Sequence, residues 1–217
     1  MKIDILTLFP EMFSGPFDFS IVKRAKEKGL VDIQIHDLRK WTTDNYKTVD
    51  DRPYGGGAGM VMKVDIIDKA VTELKKDGSK VILTDAGGSK FTQAKAGHLA
   101  TNQHLIIICG HYEGVDHRVH ENIADEVISV GDYVLSGGEL PTMTIVDAVV
   151  RLIPGVLGNE ESLYEESHEN EGETEYPQYT RPEEYRGWKV PDVLLSGDHK
   201  KIKQWRQQSD RQSDAKS

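Results

Sequence analysis

A chain of 217 residues is long enough to bury a real core, and its single cysteine, Cys109, rules out an intramolecular disulfide framework and fits a reducing cytosol. The formal net charge of −9 looks wrong for a nucleic-acid partner, but residues 159–176 hold eight glutamates and no lysine or arginine, while residues 177–217 hold nine basic and six acidic residues. One short segment thus supplies most of the imbalance and RNA is not excluded; Asp4 and Glu11 interrupt any signal core, no apolar run approaches a membrane span, and the chain reads as soluble and cytoplasmic.

In chain order, residues 2–8 are β-rich and closed by Pro10, residues 20–28 have a helical pattern ended by Gly29, and residues 31–35 alternate as a half-buried strand. A polar stretch then leads into Asp51-Arg52-Pro53-Tyr54-Gly55-Gly56-Gly57-Ala58-Gly59-Met60. Counted from Gly55, the dinucleotide fingerprint fails because its sixth place is Met60, and the later Gly88-Ser89-Lys90 puts Ser before Lys where a Walker loop needs it after. Glycine content alone therefore indicates a flexible surface loop. Ile66, Ile67, Ala70, Val71 and Leu74 place one helical face over residues 65–76, with Gly78 as its stop. A strand over 80–84, a helix over 92–100 and the continuous apolar run of 104–109 follow. A loop and short helix to residue 122, a strand over 126–130 and a helix starting at Pro141 continue the alternation. Strand, helix, strand, helix implies an α/β domain with a largely parallel sheet, whose ligand sits where residues 85–88, 110–114 and 131–133 leave the carboxyl ends of their strands.

The densest stretch is residues 127–158, where Gly131, Gly137 and Gly138 either take positive φ or admit another backbone closely. Met143, Val146, Val149, Val150 and Ile153 then give the helix one apolar face, while Asp147 and Arg151 read as a solvated i,i+4 pair. Cys109, His111, His117 and His120 lie within twelve residues, yet their spacing matches no zinc pattern. The buried-strand cysteine reads as a small core residue, and His117 and His120 as a solvated helix face. Residues 159–176 lack apolar periodicity and read as a flexible acidic linker. Beyond them, order returns with Tyr176-Pro177-Gln178-Tyr179-Thr180-Arg181-Pro182 and a basic helix over 198–208, capped by Asp198 and carrying Lys200, Lys201, Lys203 and Arg206.

DRPYGGGAGMVM, CGHYEGVDHRV, VGDYVLSGGELP, RLIPGVLGNE and YPQYTRPEEYRGWKVPDVLLSGDH, in that order, closely resemble the TrmD family of bacterial tRNA (guanine-N1)-methyltransferases. The resemblance implies a SPOUT-class α/β domain with a parallel sheet and C-terminal trefoil knot over residues 1–158. The linker of residues 159–176 and a small, mainly helical, RNA-binding domain over 177–217 would complete the chain. It implies a homodimer with sites shared between subunits, S-adenosylmethionine as methyl donor, and a tRNA with guanosine-37, on the 3′ side of the anticodon, as acceptor. Donor binding falls by this resemblance on Gly110, Val130, Gly131, Asp132, Tyr133, Val134 and Leu135, and also on Tyr112, Glu113, Gly137 and Gly138. The GGGAGM loop and the C-terminal domain are the RNA-facing parts.

Guanine N1 carries a proton, so methyl transfer needs a base, together with a cation or donor for charge developing on O6. The resemblance gives Arg151 the second role, displacing the solvated-pair reading, and places Glu166 where the family has its catalytic aspartate. The linker departs from the family pattern and is one residue longer, and the C-terminal domain is shorter. The alternative reading is a catalytically weak or inactive RNA-binding relative that keeps the donor pocket. A phosphate-binding module built on the GGGAGM loop is a second alternative.

Overall fold

The computed structural model describes residues 1–157 and 176–209, and its chain divides into two compact units, Met1–Gly158 and Asn159–Ser217. In the first, β1 (Lys2–Thr7), α1 (Ser20–Glu27), β2 (Asp32–Asp37), the two-residue strands β3 (Asp50–Asp51) and β4 (Val61–Met62), and α2 (Val64–Leu74) come first. They are followed by β5 (Ser79–Lys90), α3 (Gln93–Ala100), β6 (His104–Cys109), α4 (His117–Asn122), β7 (Glu126–Ser129) and α5 (Glu139–Val150). Five strands form one sheet in the order β2-β1-β6-β5-β7 with every pairing parallel, so the α/β expectation holds.

All six residues of β6 are buried, as its unbroken apolar run requires of a strand covered on both faces. Alternation divides it: Leu105, Ile107 and Cys109 join the core that includes residues of α1, α3 and α5, and Ile106 and Ile108 join the one that includes residues of α2 and α4. Removing one such side chain, as in Ile107→Ala, costs about 2–5 kcal/mol. The amino end of this sheet carries a polar exception, Asp4, which is fully buried. It accepts hydrogen bonds from Lys2 Nζ at 2.6 Å and from His36 Nε2 and His104 Nε2 at 2.7 Å each.

Two element boundaries differ from expectation for reasons that matter to the site. Helix α5 begins at Glu139, not Pro141; proline at its third position is still within the first turn, whose N–H groups have no helical acceptor. Strand β5 does not stop at Thr84. Both Thr84 and Ser89 pair with Ile128 of β7, so residues 85–88 are extruded as a bulge and pairing resumes beyond it.

The second unit contains a hairpin of β8 (Glu184–Tyr185) and β9 (Trp188–Lys189), the short helix α6 (Asp192–Leu195) and α7 (His199–Ser209). The hairpin turn, Arg186-Gly187, has φ of 55° and 86°, the two positive values a type I′ turn needs. Arg-Gly is a weaker signal for that turn than Asn-Gly, and the hairpin was not foreseen. Asp198 Oδ1 accepts from the Lys200 and Lys201 amides at 3.1 and 3.2 Å, the expected cap of the basic helix.

Candidate active site

The carboxyl ends of β5, β6 and β7 open into a cavity of about 190 Å³. Its walls are Thr84, Asp85 and Ala86 from the first edge, Gly110–Gly114 from the second, and Ile128–Val130 with Tyr133–Gly138 and Pro141 from the third. Three loops thus meet at one sheet edge, where open α/β sheets bind ligands. The corner is fixed by short backbone contacts. The Gly138 amide donates to Gly110 O at 2.7 Å, His111 and Gly137 form an antiparallel bridge, and Thr84 Oγ1 donates to Ile108 O at 3.1 Å.

None of Gly131, Gly137 and Gly138 has positive φ; close approach crowds each, of backbone atoms at Gly138 and of side chains at Gly131 and Gly137. A Cβ on Gly138 would lie 2.7 Å from Gly110 N and 2.8 Å from Cys109 Cα, both backbone atoms that cannot step aside. A Cβ on Gly131 would meet the Tyr133 ring, which folds back so that its hydroxyl donates to Val130 O at 3.4 Å. The backbone strain falls instead on Tyr112, a non-glycine residue at φ 61°. Its neighbour His111 lies between Phe9 and Tyr112, with ring centroids at 4.7 and 5.0 Å. Burial raises the Tyr112 hydroxyl above its ordinary pKa, and the charge of Asp50 adds to that rise.

Beneath the corner, Glu139 is 1 % exposed; its Oε1 accepts from Thr7 Oγ1 at 2.7 Å and its Oε2 lies 4.0 Å from His111 Nδ1. In the sequence Glu139 falls in the turn ahead of the helix start expected at Pro141, and nothing local marked it as buried. Nine of the eleven expected donor residues line the cavity: Gly110, Tyr112, Glu113, Val130, Tyr133, Val134, Leu135, Gly137 and Gly138. Gly131 and Asp132 do not. Asp132 points outward, 91 % exposed, and accepts from Lys90 Nζ at 3.0 Å. Thr84, Asp85, His111 and Pro141 line the cavity as well; Asp85 and His111 lie in loops marked by their place after strands, whereas Thr84 reads only as strand interior.

Arg151 is not brought to the cavity within this unit. It caps the far end of α5, and twelve helical residues at 1.5 Å each put it roughly 18 Å along the axis from the corner. Glu166 lies outside the described residues, as do Glu165 and Glu169.

The histidines divide. Among the described residues no group of three or more His, Cys, Asp or Glu side chains is placed to hold a metal ion. Cys109 is fully buried, its thiol pushed far up by that burial, and its Sγ lies 3.2 Å from Thr142 Oγ1. His117 is 77 % exposed, as a solvated face requires. His120 is not: only 19 % exposed, it turns inward and its Nε2 donates to Asp85 Oδ2 at 3.2 Å. Residue spacing on a six-residue helix could not tell which of the two faced the sheet.

The glycine-rich loop is anchored at its exit rather than free. Glu113 N donates to Met60 O, Met62 N to Gly114 O and Asp116 N to Met62 O, each at 3.0 Å, and Gly59 lies against the Glu113 side chain.

The family model for tRNA (guanine-1)-methyltransferase TrmD matches residues 1–217. This chain belongs to the TrmD family. It is 59 % identical over 206 residues to the tRNA (guanine-N(1)-)-methyltransferase of Dictyoglomus turgidum, covering 95 % of this chain and 83 % of that one. The tRNA (guanine-N(1)-)-methyltransferase of Carboxydothermus hydrogenoformans is 57 % identical over 206 residues, covering 95 % and 81 %. That of Geobacillus kaustophilus is 55 % identical over 209 residues, covering 95 % and 85 %. The resemblance carried by the five motifs is thereby established as membership of the TrmD family, and with it the methyltransferase class.

Proposed function

We propose that this chain transfers the methyl group of S-adenosylmethionine to N1 of guanosine-37 in tRNA, beside the anticodon. The carrying observation is the cavity at the carboxyl edge of β5, β6 and β7, in a chain of the TrmD family. Its composition fits the donor. Ile128, Val130, Leu135 and Pro141 offer apolar wall to a flat base, while Asp85, Tyr112, Glu113 and the backbone of residues 110–114 offer hydrogen-bond partners. The bound donor supplies an electrophilic methyl group on a sulfonium.

The chain must then take the proton of guanine N1 and hold charge on O6. We assign the first task to Glu166 and the second to Arg151. Because Arg151 stands a helix length from the corner, its role requires a homodimer in which each donor cavity meets the Arg151 of the partner subunit. The donor loops then form the trefoil-knotted part of a SPOUT domain. RNA contacts fall to the GGGAGM loop and the second unit, where Arg186 lies over the Tyr185 ring at 5.2 Å and α7 carries Lys200, Lys201 and Lys203. No described helix is long and apolar enough to cross a membrane. We assign the enzyme to the cytoplasm on the strength of its proposed tRNA substrate.

The deciding assay is methyl transfer to an unmodified tRNA with guanosine at position 37, with mapping of the modified base. Replacing that guanosine with adenosine should abolish transfer. Methylation at any other base would refute the assignment.

A further inference from the structure

Asp85 is outside the set of residues that the family motifs mark, yet its position is unusually determined. It is the first residue of the four-residue bulge extruded from β5 between two successive pairings with Ile128. The bulge returns to the sheet through Gly88, where a Cβ would lie 2.6 Å from the Ile128 amide nitrogen, so the extrusion depends on glycine at that point. Asp85 lines the donor cavity. Its Oδ1 accepts from the Gly87 amide at 2.8 Å and its Oδ2 from His120 Nε2 at 3.2 Å. The second nitrogen of that imidazole, Nδ1, is buried with no hydrogen-bond partner and the ring face stacks on His117 at 5.0 Å, so the side chain's one hydrogen bond is the one that holds Asp85.

A carboxylate oxygen has about two acceptor positions. One on each oxygen is occupied, which leaves one on each for a ligand. Two acceptors side by side on a rigid support suit two vicinal hydroxyls, the chemistry by which a carboxylate at the end of a strand reads a ribose. Among the described residues the cavity presents one other carboxylate, Glu113, whose side chain is packed against Gly59. We propose that Asp85, held by His120, is a specificity-determining residue that accepts the 2′- and 3′-hydroxyls of the donor ribose, with His120 as its positioning residue. This rests on the reading of the cavity as the S-adenosylmethionine site.

The test uses the full chain and 5′-methylthioadenosine, which keeps base and ribose but lacks the amino-acid end. Calorimetry first measures wild-type binding of S-adenosylmethionine and 5′-methylthioadenosine. Absence of binding for both would sink the donor-site reading itself. Given wild-type binding, Asp85→Asn should weaken both ligands by about 10- to 100-fold, the range for hydrogen bonds to a charged group. The 2′-deoxy form of methylthioadenosine should bind wild type more weakly than the ribose form, and Asp85→Asn should lose most of that preference. His120→Gln should fall between the two proteins. Equal losses on ribose and deoxyribose ligands would make Asp85 a structural residue, and a loss confined to S-adenosylmethionine would move it to the donor ammonium; either overturns the inference.

Discussion

Thr7 and Glu139 are separated by 132 residues in sequence and joined by a 2.7 Å hydrogen bond with no solvent access. The bond ties the end of β1 to the first turn of α5, directly under the Gly137–Gly138 corner, and it leaves Glu139 Oε2 facing His111. Glu139→Ala would leave the Thr7 hydroxyl proton without its acceptor in the core, its oxygen still accepting from the Phe9 amide at 2.9 Å, and an unmet buried donor costs about 1–3 kcal/mol. Glu139→Gln can keep the Thr7 bond through its amide oxygen and should be milder. Urea unfolding of the two variants orders them; equal stability of both with wild type would show that the bond contributes nothing.

Tyr133→Ala and Gly137→Val probe the corner from opposite sides. Tyr133 is 58 % exposed and lines the cavity, so its loss should remove donor binding with little change in stability. At Gly137 the first added carbon would sit 2.6 Å from His111 Nδ1 and close on Glu139, so the valine variant must displace the buried network and should lose both donor affinity and some stability. Calorimetry with S-adenosylmethionine, paired with thermal unfolding, separates the two. Unchanged affinity in both variants would put the donor elsewhere.

Much of this site was legible because strands announce their ends. The apolar run of residues 104–109 and the alternation around it located the sheet edge, and family motifs named most of the lining. The extruded bulge was not legible: Asp85-Ala86-Gly87-Gly88 reads as a loop that terminates a strand, and only the pairing of Ile128 on both sides shows that the strand resumes. Glu139 and His120 failed for a related reason. His120 reads as a solvated residue of its helix and Glu139 falls ahead of the helix start expected at Pro141, and the partner of each, Asp85 or Thr7, is distant in sequence.

Asp4 makes stability depend on acid. Burial opposes its charge, yet the hydrogen bonds from Lys2, His36 and His104 outweigh that and hold its carboxyl below the usual carboxylate range. A carboxyl depressed in the folded state stabilises fully above its unfolded pKa, about 4, and that contribution is lost as pH falls toward the folded value. Asp4→Asn removes this dependence. The difference in unfolding free energy between wild type and Asp4→Asn should therefore be largest near neutrality and shrink below about pH 4. A difference that is flat down to pH 2 would deny the carboxylate this role.

Glu166 carries the proposed base, and its neighbours Glu165 and Glu169 are the competitors. Under saturating donor and tRNA, Glu166→Gln should nearly stop transfer while leaving donor affinity intact, and glutamine at either neighbour should be mild. Glu166→Asp should preserve or raise the rate, because a misplacement of about 1 Å can cost on the order of a hundredfold. If one of the neighbours proves to be the inactive variant, the base moves to it; if none matters, the linker does not supply the base.

The shared-site arrangement makes the strongest demand on Arg151. Within one protomer it stands roughly 18 Å along α5 from the cavity, so an arginine that stabilises charge at the acceptor must reach the partner subunit's donor. Arg151→Ala and Tyr133→Ala should each inactivate the homodimer, the first by loss of charge stabilisation and the second by loss of donor binding. Mixed and allowed to exchange subunits, the two inactive proteins should recover activity. Half of randomly paired dimers are hybrids, and each hybrid has one intact site of two: the wild-type Tyr133 cavity of one chain facing the wild-type Arg151 of the other. The expected recovery is thus about a quarter of wild-type activity for a two-fold symmetric dimer. Were Arg151 to serve the cavity of its own chain, every hybrid site would lack one of the two residues and mixing would restore nothing. Subunit exchange verified by mass spectrometry, with no recovered transfer, would therefore exclude a site completed across the dimer.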